Sequence, residues 1–421
     1  MPSPSSLLTK TAIGCAVAVA VYAIILGALL TPTLQRFALY AHKINSLFWH
    51  DINDAEQFGF SRGQVTPFTI PTPDGETLYA WHVLPIDTYL RNEQVLSQGE
   101  RPSGPVAEFA DTLQFKLLAS TQQPARVVIN FHGNAGHVAQ GWRTDTYRNL
   151  ALQPNTHVVT IDYRGFGHST GSPTEAGLIA DGTAIVNWVM HTAKIPPERI
   201  VLLGQSLGTA VSSAVALNFA NPSSELIPRS DPESSSLLNS GDQIATRTAF
   251  AGVILVAPFS SLPSLLLTYR LGGTIPLLLP LRPFPKLGYA LTSRMTDIWP
   301  SASRLAAYYN GFSANQDLLT HKVDDLTGDG SIATREMGAL QIIHAKTDMD
   351  ISFRQTEIIC AEILGDEGKC VAGDGGLLLD VKEAGKPRVR VQIVEHGGHN
   401  RIVTYSPVAL AVARAVEGAF A

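Results

Sequence analysis

Six short runs of this chain are apolar at almost every position, with no polar alternation. They are ARVVINF (125–131), HVVTIDY (157–163), RIVLLG (199–204), AGVILVAPF (251–259), ALQIIHA (339–345) and VRVQIVEH (389–396). Runs of this length, rich in β-branched residues, suit strands of a parallel sheet covered on both faces. Between them the spacing becomes helical, in GLIADGTAIVNWVMHTA, GTAVSSAVALNFA, RQTEIICAEIL and SPVALAVARAVEGAF. This alternation predicts a doubly wound, mostly parallel α/β sheet. Upstream, VTPFTIPTPDGETLYAWHVLP (65–85) places strand-like residues either side of Pro-Asp-Gly, a hairpin signal.

The head of the chain follows another pattern. No charged residue lies between Lys10 and Arg36. About 20 apolar residues cross a bilayer core as a helix, and residues 12–30 come close to that length. The apolar core of a cleaved signal peptide is shorter, roughly 7–15 residues. Residues 1–36 therefore read as a tail and single-pass anchor, and 37–421 as the globular domain. Lys10 and the free amino group on one side stand against Arg36 and Lys43 on the other, which leaves orientation open. RFALYAHKINSLFW (36–49) reads as a juxtamembrane segment with aromatics at interface depth.

Several stretches break the strand–helix rhythm. Residues 91–123 are polar and irregular, 221–243 are Ser-, Pro- and acid-rich and suit a flexible insertion, and 365–387 read as a loop. Residues 259–338 are too long and too apolar for a connection, and SLLLTYRLGGTIPLLLPLRPFPKLGYAL within them suits a helical cap or a lipid-facing surface.

Composition changes this picture little. With 45% hydrophobic and 16% charged residues the chain can fill a large core, and a net charge of −5 argues against nucleic acid as a partner. Three cysteines make no disulfide framework, and whether Cys360 and Cys370 pair stays open.

Chemistry concentrates where runs end. Gly204-Gln205-Ser206-Leu207-Gly208 sits between a buried strand and a helix, where flanking glycines permit a sharp turn that exposes the serine hydroxyl. Ser206 is the candidate nucleophile. A serine needs a base, and the base an orienting acid; on a doubly wound sheet carrying such a serine the order along the chain is Ser, then Asp or Glu, then His, each after a later strand. Asp348 follows ALQIIHA and His399 follows VRVQIVEH, which fits that order. Asp350 and His396 are the rivals. For an oxyanion, the candidate donors are the backbone N–H groups of Leu207 and of Asn134, in NFHGNAGH (130–137). His132 and His168 read as structural, with Asp162, Arg164 and Gly165 shaping the loop after the second run.

FHGNAG, DYRGFGHSTGSPTEAG, GQSLGTA, HAKTDMDI and GGHN, in this order, resemble the α/β-hydrolase superfamily of serine hydrolases. The nearer resemblance is to its membrane-anchored monoacylglycerol and lysophospholipid lipases. It implies the α/β-hydrolase fold, a Ser206–Asp348–His399 triad, lipid acyl-ester substrates and no cofactor. It also implies a single-pass membrane protein, with the endoplasmic reticulum a candidate host. Gln205 departs from the His that often precedes the nucleophile, and the Gly-Gly-His-Asn ending is shared with acyl-protein thioesterases. An S-acyl-protein thioesterase or peptidase, or a non-catalytic lipid-binding scaffold, are the alternatives. DLTGDGSIATRE (325–336) matches calcium-loop spacing. The strand expected directly after it leaves no room for an exit helix, so a polar surface loop is the reading kept.

Overall fold

The computed structural model describes residues 4–228, 247–271, 274–276, 278–281, 283–312, 316–326 and 332–418. Nine strands form one sheet. They are β1 (Val65–Pro71), β2 (Thr77–Val83), β3 (Arg126–Phe131), β4 (Thr156–Ile161), β5 (Ile200–Gln205), β6 (Gly252–Val256), β7 (Ala339–Ala345), β8 (Leu377–Val381) and β9 (Val389–Val394). Their spatial order is β1-β2-β4-β3-β5-β6-β7-β9-β8. The six strands from β4 to β9 in that order run parallel, and they are the six apolar runs. Successive side chains of a strand point to opposite faces. In β3, Val127, Ile129 and Phe131 enter one core and Val128 the other, which is why that run lacks alternation; β9 departs from this, alternating buried Val389, Val391 and Ile393 with half-buried Arg390 and Gln392. Helices Glu175–Asn187 and Leu207–Ala220 cover the first face, and Ser406–Glu417 the second.

The hairpin forms as expected, β1 against β2 antiparallel with Pro71 opposite Thr77. Three details differ from the sequence reading. Residues 91–123 carry the end of one helix, Ile86–Leu96, and a second, Leu113–Leu118. Residues 365–387 contain β8, antiparallel to β9 at the sheet edge. That strand is five residues long and only half buried, so its apolar signal is weak, and Asp380 holds it to Arg388 and Arg390 at 3.0 and 2.6 Å. Within 259–338, helix Ser301–Asn310 packs into the first core through Ala302, Leu305, Tyr308 and Tyr309. Before it come the short helices Leu262–Leu266 and Pro285–Thr292, with Phe284, Leu287 and Tyr289 exposed. Cys360 and Cys370 form a disulfide with Cα atoms 5.7 Å apart.

The insertion expected at 221–243 lies outside the described residues from 229 onward. So does the centre of the calcium-like stretch, 327–331, whose flanks are the antiparallel strands Thr320–Leu326 and Ile332–Glu336 rather than helices.

Helix Pro4–Ala28 contains a 20-residue stretch, Thr9–Ala28, with mean hydropathy 2.2 and none of it buried. It is long and apolar enough to cross a membrane. A second helix, Pro32–Tyr40, follows. The segment after the apolar helix divides in two: Tyr40 and His42 are buried in the body of the protein, whereas Phe48 and Trp49 stand exposed.

Candidate active site

Parallel strands deliver their following loops to one edge of the sheet. Residues 132–137, Ser206, Asp348 and His399 all leave that edge, after β3, β5, β7 and β9. Ser206 has φ 53° and ψ −119°, a conformation that costs a side-chain-bearing residue energy. The flanking glycines make the turn possible. A Cβ on Gly208 would lie 1.9 Å from the Phe131 carbonyl oxygen, and one on Gly204 would lie 2.3 Å from that of Gly208.

Three side chains then form one line. Ser206 Oγ lies 3.0 Å from His399 Nε2, and His399 Nδ1 donates to Asp348 Oδ2 at 2.7 Å. The backbone N–H groups of Asp350 and Ile351 donate to Asp348 Oδ1 at 3.0 and 2.8 Å. Burial pushes the Asp348 carboxyl upward, but hydrogen bonds from His344 and His399 outweigh it and hold the group far below the ordinary carboxylate range. Burial also opposes charge on His399, yet the bond to Asp348 and the nearby Asp350 leave its pKa above the ordinary 6.5. An imidazole so placed can take a hydroxyl proton and stabilise the charge it gains. Asp348, Asp350 and His399 also place possible ligand atoms within 4.8 Å of one another. Asp348 and His399 already satisfy each other, so this donor set is a weak fit for a cation.

A match to the alpha/beta hydrolase family model runs from residue 127 to 414, about two thirds of the chain and every element of this site. The chain belongs to the alpha/beta hydrolase family. Among curated relatives, the uncharacterised protein YfhR of Salmonella typhi is 43% identical over 81 residues, 19% of this chain and 27% of that protein. The lysophosphatidylserine lipase ABHD12 of Danio rerio is 25% identical over 182 residues, 43% of this chain and 42% of that one. The hydrolase therefore aligns with less than half the length of either. An alpha-beta hydrolase from Vibrio vulnificus of solved structure has TM-score 0.50 and 13% identity, covering 92% of this chain and 94% of that one, a likeness of fold.

The remaining positions named from sequence fall as follows in this hydrolase. His396 is exposed and the carboxylate of Asp350 makes no hydrogen bond to His399 among the described residues, so neither rival joins the line. His399 lies in a one-turn helix, Gly398–Arg401, and Gly397 with φ 142° sets its entry. His132 is buried, donates from Nδ1 to the Gly133 carbonyl at 2.7 Å and packs its ring at a tilt against that of Tyr163. Burial drives its pKa down, which keeps it neutral. His168 packs its ring on Tyr79. Asp162 accepts from the Val138 N–H at 2.6 Å, and Arg164 pairs with Asp74 and Asp181. The N–H groups of Asn134 and Leu207 meet no acceptor among the described residues. Gly133 lies against the serine, since a Cβ there would be 3.4 Å from Ser206 Cβ.

Two residues escaped the sequence reading, and a third, Gln205, was noticed there without a role. Gln205 donates from Nε2 to the carbonyls of His399 and Asn400 at 3.3 and 3.4 Å, fixing the imidazole's support. His344 bonds Asp348, and Arg143 bonds the 133–137 loop. The departure at Gln205 was the only one of the three with a visible signal.

Proposed function

We propose that this protein is a membrane-anchored serine hydrolase that cleaves acyl esters of lipids, of the monoacylglycerol or lysophospholipid type. The observation that carries the proposal is the continuous line from Ser206 Oγ through His399 to Asp348. Ser206 attacks the acyl carbonyl as its proton passes to His399 Nε2, while Asp348 holds the imidazole and offsets its charge. The N–H groups of Asn134 and Leu207 receive the oxyanion. The carbonyl re-forms, the C–O bond to the alcohol breaks, and His399 protonates the departing glycerol oxygen. Water, deprotonated by His399, then attacks the acyl-enzyme, and the proton returns to Ser206 as the fatty acid leaves. The chemistry calls for no cofactor. Support for a lipid substrate comes from the apolar N-terminal helix, the exposed apolar side chains 284–289 and the lipase named among the relatives.

The test uses the full chain in lipid nanodiscs. A fluorophosphonate labels the wild type and not Ser206→Ala, and turnover is greatest on lysophospholipids or monoacylglycerols in a panel that includes palmitoyl thioesters and peptides. Labelling of Ser206→Ala overturns the nucleophile. A preference for thioesters or peptides moves the enzyme to that activity, and lipid binding without turnover or labelling makes it a scaffold.

A further inference from the structure

Arg143, at the start of helix Arg143–Ala151, has backbone carbonyls instead of a carboxylate as its partners among the described residues. Its Nη2 donates to Gly133 O, Asn134 O and Ala135 O at 2.9, 3.0 and 2.8 Å, and its Nη1 donates to His137 O. A guanidinium presents a rigid fan of donors, which suits it to collecting several acceptors in one place.

The carbonyls have a counterpart on the far side of each peptide. Every peptide bond here is trans, so each C=O and the N–H that follows it point in opposite directions. Drawing three successive carbonyls toward Arg143 therefore turns three successive N–H groups away from it. Two of them meet the segment that follows the apolar helix, Ala135 N–H donating to Tyr40 O at 3.1 Å and Gly136 N–H to Ile44 O at 2.9 Å. Asn134 Nδ2 adds a third bond to that segment, to Leu39 O at 2.7 Å. The first N–H of the three, that of Asn134, is the one left without an acceptor among the described residues, on the peptide whose Gly133 lies against Ser206.

We infer that Arg143 is a positioning residue that sets the Gly133–Asn134 peptide from within, while residues 39–44 hold the same loop from outside, so that the Asn134 N–H is presented to a developing oxyanion. This inference rests on the esterase reading of Ser206. Arg143 touches no reacting atom and acts through the peptide it holds. Its loss must therefore weaken the transition state and leave ground-state binding alone.

The test compares the full-length wild type with Arg143→Lys, Arg143→Met and Asn134→Ala. Each is assayed on a p-nitrophenyl acyl ester and inhibited with an alkyl trifluoromethyl ketone, which forms an oxyanion adduct with serine, and with the matching secondary alcohol, which forms none. In both Arg143 variants kcat falls about 10- to 100-fold with KM nearly constant, as expected for a displaced oxyanion donor. The ketone's inhibition constant rises by the same factor and the alcohol's stays fixed. Asn134→Ala, which removes one outer bond, shows the same pattern at roughly threefold. Equal weakening of ketone and alcohol, or an unchanged kcat, overturns the inference. Should both Arg143 variants fail to fold, an Asn134→Ala protein with unaltered kcat and ketone affinity overturns it as well. A wild type that neither turns over the ester nor binds the ketone removes the esterase reading, and the inference falls with it; an active wild type with indifferent variants removes the inference alone.

Discussion

His344 Nε2 lies 3.2 Å from Asp348 Oδ2, the same oxygen that accepts from His399. That nitrogen also faces the Ile351 carbonyl at 3.0 Å, and since both neighbours only accept, it carries the proton. Nδ1 meets the Thr356 hydroxyl at 2.7 Å. His344 is fully buried, so its partners have no water to replace it. His344→Leu leaves a carboxylate lone pair and a hydroxyl unpaired and lowers stability by about 1–3 kcal/mol. A glutamine carries an amide nitrogen near the Nε2 position, so His344→Gln retains most of the stability and of kcat. Urea unfolding beside esterase kinetics checks both, and equal behaviour of the two variants removes the role assigned to the proton on Nε2.

The pH profile follows from the two shifted groups. His399 must be neutral to act as base, and its pKa is raised. The acid limb of kcat/KM should therefore have its midpoint above the ordinary ~6.5 of histidine. Asp348→Asn removes the attraction that raises it, so whatever activity survives shows its limb at lower pH. For stability the signs oppose. Asp348, held low, contributes stability above the ordinary carboxylate pKa of ~3.9 that is lost as pH falls through its folded value. His399, held high, contributes below ~6.5 and loses it as pH rises through its folded pKa. Denaturant midpoints measured from acid to alkaline pH show both slopes.

Ser206 stores backbone strain at φ 53°. Ser206→Ala abolishes at least ~10³-fold of the activity and keeps the strain. Ser206→Gly abolishes it too but releases the strain, and should be more stable than Ser206→Ala by about 1 kcal/mol. Thermal melts of the two inactive proteins decide this without reference to substrate.

The glycines near the serine are unequal. Gly208→Ala drives a methyl into the Phe131 carbonyl and costs about 3 kcal/mol or more. Gly133→Ala meets nothing nearer than 3.4 Å, so the fold tolerates it, while the added methyl crowds Ser206 and slows turnover. Chemical denaturation and kinetics on the pair separate a folding glycine from one that keeps space for substrate.

What the sequence made legible was whatever side-chain identity records locally. Six apolar-rich runs marked the parallel strands because burial on both faces favours apolar residues there, and Gly204 and Gly208 marked the turn because no Cβ fits. Chain order narrowed the acid to Asp348 or Asp350 and the base to His396 or His399, and the side-chain geometry brings Asp348 and His399 into line with Ser206. Arg143 stayed hidden because its partners are backbone carbonyls, which carry no signature, and QGWRTDTY reads as any charged helix start. His344 looked like the end of a strand, since its bond to Asp348 depends on how the chain turns between them. Helix Ser301–Asn310 was lost among Leu- and Pro-rich neighbours, and β8 among glycines.

Tyr40, fully buried, donates its hydroxyl to Asp297 Oδ2 at 2.7 Å and accepts from the Trp299 indole at 3.2 Å. The sheet begins only at Val65, which makes that residue a tempting place to trim the chain for a soluble enzyme. Such a cut would strip an aromatic plug from the body, strand the Trp299 indole without its partner and release the roof of the 133–137 turn. Trimming ahead of Pro32 discards the greasy helix and keeps the plug, and the two lengths should differ in catalysis far more than in secondary structure.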